Sequence, residues 1–85
     1  MPLFVIERNF AEQLEVTTDS AAKVTAVNDE AGVSWLLSFL SADKRKTYCL
    51  YEAQDAASIR RAAEEAGLPA DTIVEVSELR PEQFA

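Results

Sequence analysis

The chain has 85 residues, enough for one domain with one core. Its 15 acidic and 8 basic residues leave a net charge of −7, which works against bare nucleic acid or an anionic membrane as a partner. With no histidine and a single cysteine, Cys49, the sequence lacks Ser-His-Asp and Cys-His machinery, a disulfide framework and the ligands of an iron–sulfur cluster.

A cation, a basic partner or an apolar small molecule suits such a surface better. The N-terminal segment Met1-Pro2-Leu3-Phe4-Val5-Ile6-Glu7-Arg8 meets charge after four apolar residues and shows no signal-peptide pattern. No run approaches membrane-spanning length. A cytoplasmic protein is expected.

Leu3 to Asn9 is apolar and β-rich and predicts a first strand, followed by a polar connector over 11–17. Thr18-Asp19-Ser20 is a helix-start cluster. Val24, Val27 and Ala31 form a narrow helical stripe, with Thr25, Asn28 and Asp29 facing water and Gly32 as the stop. Val33 to Leu40 reads as a second strand with large groups on both faces. Ala42 to Lys46 is a polar hairpin loop, and Thr47 to Ala53 is the returning strand, strongly β in composition.

Asp55 caps a second helix whose buried face is Ile59, Ala62, Ala63 and Ala66. Arg60–Glu64 and Arg61–Glu65 are i,i+4 pairs on its wet face. Gly67-Leu68-Pro69 ends it, and Thr72 to Val76 is the last strand. Residues 78–85 form a peripheral tail. The order β-α-β-β-α-β, with right-handed crossovers, predicts a single ferredoxin-like α+β domain: a four-stranded antiparallel sheet with both helices on one face.

Alternation divides each strand between two faces. Phe4, Ile6, Cys49, Tyr51, Val74 and Val76 form the expected helix-covered core. Strand two sends Trp35, Leu37 and Phe39 to one face and Leu36 and Leu40 to the other. The sheet face without helices is apolar at its middle. A domain this small buries only roughly 60–65% of its unfolded surface. A second copy is therefore the expected cover, giving a homodimer; the alternative is a monomer with a shallow apolar cleft.

Several segments resemble a known family. Phe4-Val5-Ile6-Glu7-Arg8, Trp35 with Ser38-Phe39, Tyr48-Cys49-Leu50-Tyr51-Glu52-Ala53 and Ala66-Gly67-Leu68-Pro69-Ala70-Asp71 are similar to a family of small bacterial proteins of unknown function described as nickel-binding. The resemblance spans most of the chain. It implies a ferredoxin-like domain, often dimeric, with a metal-binding role in some members. Many relatives carry histidine where this chain has Leu37, and often another where it has Ala63. Nickel(II) favours imidazole nitrogen, so the resemblance carries the fold and leaves nickel, and any other cofactor, unexpected here.

Glu7, Glu52 and Glu75 lie on three neighbouring strands, on one face by alternation. Clustered carboxylates suit a hard cation or acid–base work; an acidic margin, solvated or paired with Arg8 or Arg80, is the plainer reading and ranks ahead. Trp35, Phe39, Tyr48 and Tyr51 suit either a ligand pocket or core and dimer packing, and packing ranks ahead. Cys49 reads as a core thiol, and Lys44-Arg45-Lys46 as a solvated hairpin tip. Three functions follow. The first is a non-enzymatic binding protein of the nickel-binding-like family, without the nickel site. The second is a dimeric ferredoxin-like enzyme or ligand carrier. The third is a regulatory subunit using the open sheet face.

Overall fold

A computed structural model describes residues 1–84. The elements run β1 (Leu3–Asn9), α1 (Thr18–Ala31), β2 (Ser34–Leu40), β3 (Lys46–Glu52), α2 (Ala56–Ala66) and β4 (Thr72–Val76), then a single 3₁₀ turn at Pro81–Phe84. The sheet order is β2-β3-β1-β4 and all three pairings are antiparallel. This is the ferredoxin-like α+β arrangement expected from the element order.

Local chemistry sets the helix ends. Thr17 caps α1 through a reciprocal pair: its hydroxyl accepts from the Ser20 N–H at 3.1 Å, and the Ser20 hydroxyl accepts from the Thr17 N–H at 2.9 Å. Gly32 closes α1 in the left-handed region at φ 74°, where a side chain would be strained. Asp55 caps α2 by accepting from the Ser58 N–H at 2.8 Å, and Gly67 at φ 70° ends it. The pairs Arg60–Glu64 and Arg61–Glu65 do not close as ion pairs; Arg61 reaches the Ser58 hydroxyl at 3.4 Å instead.

The core lies between the helices and one sheet face. Phe4 and Ile6 of β1, Cys49 and Tyr51 of β3, and Ile59 and Ala62 of α2 are its centre. Ile6 and Ile59 are fully buried, each contributing about 1.5–3 kcal/mol of transfer free energy.

Three expected assignments change. On β4, Ile73 lies opposite Ile6 and packs on the core, whereas Val74 lies opposite Val5 on the open face and is 49% exposed. Val76, opposite Leu3, shares that open face. The β4 set is thus displaced by one residue, because register across the ladder and not apolarity alone decides the face. On β2, a bulge sits between Trp35 and Leu37. Trp35 pairs with Tyr51 on the helix side, whereas Leu37 and Phe39 pair with Leu50 and Tyr48 on the open side. The extra residue, Leu36, breaks the strict alternation that would have kept Trp35, Leu37 and Phe39 together. On α1, Asn28 is buried and donates to the Tyr51 hydroxyl at 3.2 Å, so it is not on the wet face.

Candidate functional site

A cavity of about 200 Å³ opens on the helix side of the sheet. Its floor is the end of β1 and the middle of β3, its wall is the first turns of α1 and the inward side of β2, and its rim is the connector between β1 and α1. That connector is tied to the β2–β3 hairpin, with the Phe10 N–H donating to the Arg45 carbonyl at 2.8 Å and the Leu14 N–H to the Lys44 carbonyl at 2.6 Å. The Arg45 guanidinium also donates to the Ala11 carbonyl. The hairpin tip, with Lys44 and Arg45 exposed, thus also anchors the rim.

Most of the lining is apolar, and its polar groups are few. Arg8 is the deepest. It follows Phe4 and Ile6 on the inward side of β1 and is only 3% exposed. One guanidinium nitrogen donates to the Pro69 carbonyl at 2.7 Å, and the group lies 5.8 Å from the centre of the Tyr51 ring. Burial pushes the Tyr51 hydroxyl above its ordinary pKa of 10.0, opposed by the Asn28 hydrogen bond and the Arg8 charge. Trp35 presents its ring to the cavity, its indole N–H donating to the Ser38 hydroxyl at 2.8 Å. Thr47 is buried beside Cys49, whose thiol donates to the Thr47 hydroxyl at 3.5 Å.

Of the residues singled out from the sequence, Trp35 and Tyr51 meet at this cavity. The three glutamates do not come together. Glu7 pairs with Lys46 at 2.5 Å, and this contact raises the Lys46 pKa. Glu52 lies opposite Leu3, four residues along β1 from Glu7. Glu75 lies opposite Phe4, so it is on the helix side and not with the other two. Arg80 pairs with Glu78 and Glu82 in the tail, so neither arginine named as a partner serves Glu7. Phe39 and Tyr48 belong to the open face. Arg8 was missed as a cavity group. Its signal was positional, because the alternation that buries Phe4 and Ile6 also points Arg8 inward.

The donor set does not suit a nickel centre. The sequence has no imidazole, its one thiol is buried, and no group of three His, Cys, Asp or Glu side chains could hold a metal among the described residues. No helix among them is long and apolar enough to cross a membrane.

Comparison with known proteins places the chain. No curated protein matches it. A solved structure, the crystal structure of SCO4226 from Streptomyces coelicolor A3(2), superposes with a TM-score of 0.75 at 24% identity, covering 92% of this chain and 99% of the other. At that identity the likeness shows the fold. The family model for nickel responsive protein SCO4226-like matches residues 4–76, which takes in both helices and all four strands but for Leu3. The chain belongs to the SCO4226-like family of nickel-responsive proteins.

Proposed function

We propose that this member is a non-catalytic small-molecule-binding protein, dimeric through its open sheet face, whose ligand occupies the helix-side cavity and which has no nickel centre of its own. The observation that carries this reading is a contrast within one molecule. A lined cavity of about 200 Å³ is present, while no set of side chains among the described residues gathers as metal ligands. An apolar cavity of about 150 Å³ is enough to hold benzene. The space between helices and sheet is therefore large enough for a one-ring molecule.

Burial pushes the Tyr51 hydroxyl's pKa further up, and its hydrogen bond among the described residues comes from the Asn28 amide, which is not a base. Binding without turnover is what such a site does.

The dimer rests on the face opposite. Leu37, Phe39, Tyr48 and Val74 share it, exposed by 44%, 67%, 40% and 49%. Such a continuous apolar face marks an interaction surface, and a self-complementary pairing of two sheets covers it.

Two titrations test the reading. Native mass spectrometry with added nickel(II) is expected to show a dimer with no stoichiometric metal. Titration with benzyl alcohol, an uncharged one-ring probe, is expected to shift the amide resonances of residues around Trp35 and Tyr51. A defined nickel stoichiometry, or a cavity that stays silent to uncharged and charged one-ring probes alike, overturns it.

A further inference from the structure

We propose that the cavity is a site for a small aromatic monocarboxylate, its carboxylate on the Arg8 guanidinium and its ring against Trp35 and Tyr51. The inference rests on the reading of the cavity as a ligand site and names the class of ligand.

Arg8 is a charge without an ionic partner among the described residues. A guanidinium carries five N–H donors and stays ionised in proteins. Burying such a charge is unfavourable unless it is paired. Arg8 is 3% exposed, yet the ion pairs among the described residues belong to Lys46 and Arg80. Its hydrogen bond goes to the Pro69 carbonyl and engages one nitrogen. The Tyr51 ring face beneath it stabilises a cation, and the Tyr51 hydroxyl takes a small share of its donors. Asp71, two residues beyond Pro69, directs its carboxylate to the Asn9 N–H at 2.7 Å and not to Arg8. No side-chain nitrogen among the described residues is both buried and without a partner, so the remaining donors of Arg8 are ones that a molecule in the cavity the residue lines can reach.

The rest of the lining selects the other half of the ligand. The walls are apolar and partly aromatic, from Phe10, Trp35 and Tyr51, and one ring fits the volume. The Ser38 hydroxyl, already accepting from the Trp35 indole, keeps its own proton to donate. Glu15, the acidic residue of the lining, is exposed at the rim and pairs with no cation. A dication has no second carboxylate to meet there. An aliphatic or uncharged molecule fills the space but leaves Arg8 uncompensated. A planar carboxylate matches the guanidinium fork, and a ring matches the walls.

The test compares benzoate, benzyl alcohol and benzylamine on the full chain at neutral pH, by protein-observed NMR titration. Benzoate is expected to bind at least about tenfold more tightly than benzyl alcohol, as a charge-assisted hydrogen bond to a buried partner requires. Benzylamine is expected to bind most weakly, and the shifts should centre on Arg8, Thr47 and Trp35. Arg8→Met keeps an apolar stem in place and is expected to abolish the preference for benzoate while benzyl alcohol still binds. If Arg8→Met does not fold, the ratio on the unaltered protein decides alone. Equal binding of benzoate and benzyl alcohol, or benzoate shifts confined to the Lys44–Lys46 loop, overturns the proposal and leaves the cavity reading standing. Silence from all three ligands overturns both.

Discussion

Tyr51 joins the core to the cavity, and its two ends do different work. The ring packs beside Cys49 and Phe4, while the hydroxyl accepts from the buried Asn28 side chain. Tyr51→Phe keeps the ring and removes the acceptor, leaving a buried amide donor unpaired. Such a loss costs about 1–3 kcal/mol. A urea titration should show the midpoint lowered with the slope unchanged, and an unaltered midpoint would mean that water replaces the hydroxyl. At this scale the sequence was legible where alternation alone decides, as for Phe4, Ile6, Cys49 and Tyr51. It was not legible for Asn28 and Arg8. Both are polar, and polarity suggests the outside until a partner across the fold is known. Asn28 finds its partner 23 residues away and Arg8 finds its own 61 away, distances that no local pattern encodes.

The helices were read closely because their ends are written in short-range chemistry. Asp55, Gly32 and Gly67 act within a few residues of themselves, and so does the α1 cap, Thr17, which lies one residue before the start cluster expected at Thr18-Asp19-Ser20. The Asp55 cap also carries a pH dependence. The Ser58 N–H and hydroxyl hold its carboxyl below the ordinary 3.8. A carboxylate whose folded pKa is depressed contributes stability in full above its unfolded value, and that stability is lost as pH falls through the folded one. Urea midpoints measured from neutrality down to acid should therefore decline below about pH 4. Asp55→Asn retains a good cap and should flatten part of that decline, leaving the share due to Asp43, whose carboxyl is lowered by Ser41 and Arg45. An acid limb identical in Asp55→Asn would remove the cap from the explanation. The strands were read less well. Register on β4 and the bulge on β2 are settled by pairing with β1 and β3, and a strand's own sequence does not state its partner's register.

The whole molecule presents two unlike sides. One is closed by α1 and α2 over the core and encloses the cavity; the other is a bare sheet on which Leu37, Phe39, Tyr48 and Val74 stand exposed. Phe39 is the most exposed of these at 67%, so it contributes little to folding within one chain. Phe39→Glu places a charge within the proposed interface, on the edge strand β2. Sedimentation is expected to show a monomer whose helical circular dichroism is unchanged. A variant that still sediments as a dimer would move the interface elsewhere. Fold class was legible from element order, and the open face followed from having two helices for one sheet. The cavity was not legible. It depends on the connector lying against the hairpin, an arrangement held by backbone hydrogen bonds from Phe10 and Leu14 that any sequence can make.

The bulge at Leu36 has a further consequence, in optics. By turning Trp35 away from Leu37 and Phe39, it puts the chain's only tryptophan on the cavity wall and not on the bare sheet. Indole emission then reports polarity at one place. Association of two sheets should scarcely change its colour, whereas filling the cavity should shift it. A single fluorophore thus separates two events that mass alone would merge, and a lamp reads occupancy without a label.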